Sequence, residues 1–291
     1  MHVVFGANGR AGGETARALL ERGEAVRVVV RRPEQGDPWK AQGADVAIAS
    51  IDDATAVSAA LQGATAAFLF NPPPVAGDPF EQAAKVGAAL AEAGRRTHLS
   101  KAVVLSSVGA QHESGTGIIA TLHQIEAALA DVAPATVFLR PGYFVETWSE
   151  VAEAAIANGT LPTFLEPDQK IPMVSTIDVG QTAAQLMGED WTGTRIVELD
   201  GPEDWSARDV AKAFTEVLGR SVVPAFVPPE QRAAVLADTG LPAIVATALL
   251  GMYEGIASGR VTREDGTERR RGSTPLIAAV ARIVTKLQAA T

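Results

Sequence analysis

A chain of 291 residues carrying a net charge of −9 presents the wrong field to nucleic acid, whose phosphates need a basic surface. It has no cysteine, which excludes disulfides, zinc–thiolate sites and thiol nucleophiles together. A hydrophobic share of 47% and a charged share of 20% describe an ordinary globule with one large core, or with a smaller partner domain. No apolar run reaches the roughly twenty residues of a membrane span, and the chain enters a strand at once, so a cytoplasmic protein without a signal peptide is expected.

The first elements follow immediately. Val3, Val4 and Phe5 form an apolar run that breaks at Gly6. Gly6-Ala7-Asn8-Gly9-Arg10-Ala11-Gly12 has the spacing G-x-x-G-x-x-G, and a helix over residues 11–22 follows, with Gly23 as its stop. A second strand, Val26–Val30, ends in Arg31-Arg32. Strand, glycine turn, helix and strand make the first unit of a dinucleotide-binding fold. Gly6 lets the chain turn off the strand, Gly9 leaves room for a pyrophosphate, and Gly12 lets the helix pack on the strand. The helix N-terminus offers its N–H groups and dipole to the phosphates.

Strands over residues 45–49, 66–70, 101–105 and 135–139 alternate with helices, which predicts a doubly wound parallel α/β sheet of the Rossmann type. Asp52 or Asp53 caps the helix that stops at Gly63, and Asp78-Pro79-Phe80-Glu81 is a helix start whose helix ends at Gly94. The next helix covers 116–130. The strands end at Gly6, Arg31, Ser50, Asn71, Ser106 and Arg140, where ligands of such sheets lie. Beyond Phe144 a helix runs to Asn158-Gly159, and the Pro-rich stretch 161–174 reads as irregular. Asp178 caps a helix to Met187, and 194–199 adds a strand to the same sheet. Ser206, with Asp209 in the box position, starts a helix to Leu218, and 222–227 is a strand in a small separate pairing. Helical pieces follow from Pro228, the polar run 263–272 reads as a loop, and Pro275 opens the last helix. The expected division is a Rossmann domain over 1–150 that also receives 175–200. A smaller, mostly helical substrate-side cap is expected from 151–174 and 201–291.

An NAD-binding unit usually ends its second strand in an acid that holds the ribose hydroxyls. This chain has Arg31-Arg32, and a guanidinium grips a 2′-phosphate with paired charge-assisted bonds. The sequence therefore points to NADP(H) in preference to NAD(H), with Arg10 as a further cation beside the phosphates.

The glycine turn, the segment Leu139–Phe144 (LRPGYF) and Leu199-Asp200-Gly201-Pro202-Glu203 together resemble the NmrA-like, atypical short-chain dehydrogenase/reductases. The likeness is greatest to the bacterial quinone oxidoreductases, azoreductases and triphenylmethane reductases, and it extends to Tyr253-Glu254-Gly255-Ile256. Asn8 replaces the threonine of the usual turn. The resemblance implies that Gly6 to Gly12, including Ala7 and Ala11, cradle the pyrophosphate and that Arg31 meets the 2′-phosphate. It puts Ser50 and Ile51 beside the adenine, where the family usually has Asp-Leu. Phe70 and Asn71 would line the nicotinamide ribose, Ser106 the sheet edge under the nicotinamide, and Pro141 to Phe144 the pocket wall.

Typical short-chain dehydrogenases carry Tyr-x-x-x-Lys on the helix after the fifth strand, the lysine lowering the tyrosine pKa. Here the matching positions are Ile119 and His123, and neither Tyr143 nor Tyr253 has a lysine four residues later. Two readings follow. In the first, an enzyme passes hydride from NADPH to a quinone, azo or other conjugated acceptor, with His123 and Tyr143 as the candidate catalytic groups. Such chemistry needs positioning and a dry pocket more than a general acid. In the second, a non-catalytic module senses NADP(H). A small-molecule substrate is expected, with no nucleic-acid or membrane partner, in a monomer or homodimer.

Overall fold

Three of the four residues in β1 (His2–Phe5) are buried, and four of the five valine-rich positions in β2 (Val26–Val30) are too. Strands lose their polar alternation in this way when helices cover both faces of a parallel sheet. The computed structural model describes residues 1–290. Between the first two strands runs α1 (Arg10–Glu21), closed by Gly23 at φ +74°, whose amide bonds Leu20 while that of Glu24 returns to Leu19. A 3-10 turn (Pro33–Gln35) and α2 (Asp37–Lys40) lead to β3 (Asp45–Ile48). Asp53 caps α3 (Ala54–Leu61), and β4 (Ala66–Phe70) follows. Asp78 caps α4 (Pro79–Thr97), ahead of β5 (Lys101–Leu105), α5 (Ala120–Leu129) and β6 (Ala135–Pro141).

After β6 come β7 (Tyr143–Phe144), a 3-10 turn (Val145–Glu150), α6 (Ala152–Asn158), β8 (Thr160–Thr163) and β9 (Ile171–Val174). Then α7 (Thr176–Gly188), β10 (Gly193–Asp200), β11 (Asp204–Trp205) and α8 (Ala207–Leu218) follow. The chain ends with β12 (Val223–Phe226), α9 (Pro229–Ala237), α10 (Ala243–Ala257), β13 (Glu268–Arg271) and α11 (Leu276–Ala290).

The main sheet has eight strands in the order β13-β10-β6-β5-β4-β1-β2-β3, and every pairing in it is parallel. The strand order reverses between β1 and β4, and the crevice at that point is where doubly wound sheets bind ligands. One core cluster lies between the sheet and α1 and α7; a second fills the face under α3, α4 and α5. A third joins the 3-10 turn 145–150, α6, α8 and α11 in a cap beside the sheet.

Several local expectations are corrected. Helix α4 does not stop at Gly94 but runs to Thr97, ended by His98 at φ +51°. Gly94 serves packing, since a Cβ there would meet the Val132 carbonyl oxygen at 2.9 Å. The helix expected from 116 begins as a 3-10 turn (Gly117–Ile119), with Gly117 at φ +56° pressed onto the backbone of Ala248, Gly251 and Met252. The stretch 161–174 is not wholly irregular. Its ends form β8, parallel to β12, and β9, which pairs with β11 and β7; Pro162 and Pro172 are tolerated in these short strands outside the main sheet.

The segment 263–272 is not all loop either, because Glu268–Arg271 pairs with β10 at the sheet edge. Its charges fit an edge strand. Arg270 binds Glu189 at 2.7 Å, and Arg195 binds Glu268 at 2.5 Å. Finally, Ser175 and not Asp178 caps α7. The buried Asp178 carboxylate instead accepts the amides of Ser273 (3.1 Å) and Thr274 (3.0 Å), tying α7 to the chain after β13.

Asp178→Ala leaves those two amides without an acceptor, and a loss of roughly 2–4 kcal/mol is expected. Urea denaturation followed by circular dichroism measures it; a midpoint equal to that of the parent chain would refute this role for Asp178.

Candidate functional site

At the C-terminal end of β1 the chain turns under its own carbonyls. Gly6 has φ +69°, and a Cβ there would meet the Phe70 ring at 2.7 Å. A Cβ on Gly12 would lie 2.7 Å from the Phe5 oxygen and from the Gly6 carbonyl carbon. Both positions need glycine for the fold itself. Gly9 differs. Its φ of −91° and ψ of 179° suit any residue, and an added Cβ would meet only the Gly6 oxygen, at 3.2 Å. What a side chain at Gly9 would fill is the open space over the start of α1. No side chain caps that helix, as none caps α2, α5, α6, α9 or α10, whereas Asp53, Asp78, Ser175 and Ser206 cap α3, α4, α7 and α8. Its first turn, from Arg10 through Ala11 to Gly12, thus carries uncapped amides at the positive end of the helix dipole, the arrangement that binds a diphosphate.

The adenosine side is braced but open. Asn8 accepts from Trp39 Nε1 at 2.9 Å and donates to the Gln35 carbonyl at 3.3 Å, joining the turn to the segment after β2. Gln35 Oε1 in turn accepts the amides of Arg31 and Arg32. Both arginines are exposed, and Arg32 pairs with Glu34 at 3.0 Å. Ser50 bonds Asp52, which also pairs with Lys85 at 2.5 Å, while Ile51 packs into the core under α3. Arg10, expected beside the phosphates, is ion-paired with Glu150 at 3.0 Å and reaches Thr147 and Ser149.

At the ends of β4, β5 and β6 the groups are less exposed. Phe70 closes the Gly6 turn, and Asn71 Oδ1 is buried with no hydrogen-bond partner among the described residues. A buried acceptor left in that state invites a donor from a ligand. Ser106 Oγ donates to Glu126 at 2.5 Å, and Arg140 grips the same carboxylate through two bonds of 2.8 and 2.6 Å. Arg140 also binds Glu264 at 2.5 Å, and these carboxylates outweigh burial and hold its pKa above the ordinary value. Glu198, opposite Arg140 across the strand pair, is fully buried; burial pushes its carboxyl pKa up even though it accepts the Glu264 amide at 2.8 Å. One turn before Glu126, His123 Nδ1 lies 2.9 Å from the Ala110 carbonyl oxygen. His123 and Glu126 together hold the loop after β5. Pro141 is buried and its carbonyl accepts the Val108 amide, while Phe144 packs on the core beside α7.

Past Pro141 an aromatic group assembles. Tyr143 Oη stands 3.3 Å from Tyr253 Oη, and Tyr253 meets Phe164 edge-to-face with centroids 5.1 Å apart. Trp148 lies 6.3 Å from the Tyr143 ring. Burial first, and then Tyr253, push the Tyr143 phenol well above its ordinary 10.0, so it remains a neutral donor. The sequence offers Tyr143 as a candidate and Tyr253 only within a family segment, because Tyr253 comes from α10 and no local spacing announces the pairing. Arg232 of α9, equally silent in the sequence, has its guanidinium carbon 5.7 Å from the Phe164 centroid and 5.5 Å from that of Phe226. A cleft of about 510 Å³ at the β10–β13 edge does not compete as the site, because its Arg263 already holds Asp200 and Asp204 and its Arg270 holds Glu189.

The model of the NmrA-like family matches residues 2–273. Quinone oxidoreductase 2 of Escherichia coli (strain K12) is 27% identical over 261 residues, 89% of this chain and 89% of that one. The NAD(P)H azoreductase of Xenophilus azovorans is 24% identical over 255 residues, covering 87% and 86%. The crystal structure of the NADPH-dependent quinone oxidoreductase from Escherichia coli complexed with NADPH superimposes with a TM-score of 0.79 at 26% identity, over 98% of this chain and 100% of that one.

Because the folded pKa of Glu198 is raised, its contribution to stability is present below the ordinary 4.5 and is lost as pH rises through the folded value. The stability of the parent chain relative to Glu198→Gln is therefore expected to fall as pH increases from 4.5. Urea titrations across that range check this, and a pH-independent difference would contradict it.

Proposed function

The chain belongs to the NmrA-like family, and from that premise we propose that it is an NADPH-dependent oxidoreductase acting on a quinone-like or other conjugated acceptor. The observation that carries the reading is the turn at Gly9: its dihedrals need no glycine, an added Cβ would meet a single atom, the Gly6 oxygen at 3.2 Å, and its bare backbone borders uncapped helix amides. A dinucleotide fits the residues present, with Gly6 to Gly12 under the pyrophosphate and Asn71 Oδ1 accepting from the nicotinamide ribose side. Arg31 and Arg32, exposed at the end of β2, favour the 2′-phosphate form of the coenzyme. The named relatives support the same direction, since they are a quinone oxidoreductase and an azoreductase, and one related structure holds NADPH.

When bound, the reduced nicotinamide supplies a hydride, which with one proton converts a quinone to its hydroquinone. The residues of this chain orient the acceptor. Tyr143 offers its O–H to an acceptor oxygen, Pro141 and Phe144 form the wall, and Trp148 and Phe164 exclude water. His123 acts through position, holding the loop after β5 by the Ala110 carbonyl. No Tyr-x-x-x-Lys pair is needed, because the reduced oxygen of a quinone leaves as a stabilised phenolate that water can protonate.

The test mixes the protein with NADPH and a panel of naphthoquinones and azo dyes and follows the absorbance of the reduced nicotinamide. Consumption with at least one acceptor is expected. Tyr143→Phe should lower kcat/KM roughly 5- to 10-fold by removing one hydrogen bond. The parent profile should carry no phenolate limb below pH 10.0, since burial raises that pKa. Tight NADPH binding without consumption on any acceptor would favour a redox sensor instead.

A further inference from the structure

Arg232 is only 6% exposed, yet no carboxylate of a described residue lies within ion-pair range of it. Among the described residues every other buried or half-buried arginine has one: Arg17 and Arg282 share Glu14, Arg27 has Asp45, Arg140 has Glu126, Arg195 and Arg270 share Glu189, and Arg263 has Asp200. The Arg232 Nη atoms are not among the fully buried side-chain atoms that lack a partner, so the end of the fork opens to solvent and to a ligand. Its Nε donates to the Val227 carbonyl at 3.0 Å, and its guanidinium carbon lies 5.7 Å from the Phe164 centroid and 5.5 Å from that of Phe226. The two rings border the group, and neither Nη makes a hydrogen bond to a described residue. The fork is contiguous with the aromatic group of the site, because Phe164 touches Tyr253 and Tyr253 faces Tyr143.

We infer that Arg232 is a specificity-determining residue that takes an anionic substituent, a sulfonate or carboxylate, on a planar aromatic acceptor whose reacting end lies at Tyr143. The inference rests on the oxidoreductase reading for its substrate class. With Nε held by the Val227 carbonyl, the planar guanidinium keeps both Nη groups for a ligand, and a guanidinium fork matches the paired oxygens of such a group. Phe164 serves twice, flanking the guanidinium on one side and stacking the aromatic body of the ligand toward Tyr253 on the other.

The experiment compares NADPH oxidation with 1,2-naphthoquinone-4-sulfonate and with unsubstituted 1,2-naphthoquinone, in the parent chain, Arg232→Met and Arg232→Lys. In Arg232→Met the ratio of kcat/KM between the sulfonated and neutral quinones should drop about 10- to 100-fold, mostly through KM, as expected for a lost charge-assisted hydrogen bond. Arg232→Lys, which keeps the charge, should recover part of the ratio. In parallel, calorimetry of 2-naphthalenesulfonate with the NADP+-loaded protein should show a Kd raised by a similar factor in Arg232→Met. An unchanged ratio in both variants would overturn the inference, as would equal losses on both quinones or failure of the parent chain to bind the sulfonate. If the parent consumes neither quinone, the oxidoreductase reading fails, and sulfonate binding alone then decides the role of Arg232.

Discussion

Backbone packed on backbone at the end of β1 positions everything else. Gly12 lies against the Phe5 oxygen and the Gly6 carbonyl, closer than any side chain allows. That contact seats α1 on the sheet and aims its uncapped N-terminus at the crevice where the strand order reverses. On its other side α1 is held just as closely. Gly180 of α7 presses on the Glu14 and Thr15 backbone, and Glu14 is bridged to Arg282 of α11 at 2.7 Å. Burial opposes the charge on Glu14, but Arg17 and Arg282 outweigh it and hold its pKa below the usual glutamate value. The helix that presents the anion site is thereby fixed from both the sheet and the C-terminal helix.

The second constraint is polar and buried. Ser106, Glu126, Arg140 and Glu264 form a connected network beneath the ends of β5 and β6, so the Arg140-Pro141-Gly142 turn leaves the sheet in one direction. Gly142 lies under the Pro172 carbonyl, where a Cβ would come within 2.5 Å of the oxygen, and so β9 is laid across the same turn. Tyr143 is thus delivered to Tyr253 by this network and the turn above it. Arg10 crosses the remaining gap to Glu150, joining the glycine turn to the 3-10 segment that carries Trp148. The glycine turn and the aromatic group are therefore joined by one side chain.

What was legible in the sequence was local. The glycine spacing, the Asp78-Pro79 start and the Ser206–Asp209 box each act within a few residues, and each holds in the structure. The failures have a common cause, since they depend on partners far along the chain. Glu268-Arg269-Arg270-Arg271 reads as a solvated loop until Glu189 and Arg195 are placed beside it. Asp178 has the residue type and position of a helix cap, but its partners lie some ninety residues later. In the site the same division holds. Spacing singles out the turn and the strand ends, which the fold brings to one edge of the sheet, whereas Tyr253 and Arg232 come beside them on helices whose placement only the tertiary fold decides.

The claim on which all of this stands is that Gly9 is bare for a ligand and not for the fold. Calorimetric titration of NADPH and NADH into the parent chain and into Gly9→Val tests it most directly, with thermal melting as the control for folding. The account predicts tighter binding of NADPH than NADH by the parent, and a loss of at least roughly 30-fold in affinity for both in a Gly9→Val protein that still melts cooperatively. Undiminished binding by Gly9→Val, or no coenzyme uptake by the parent chain, would contradict it.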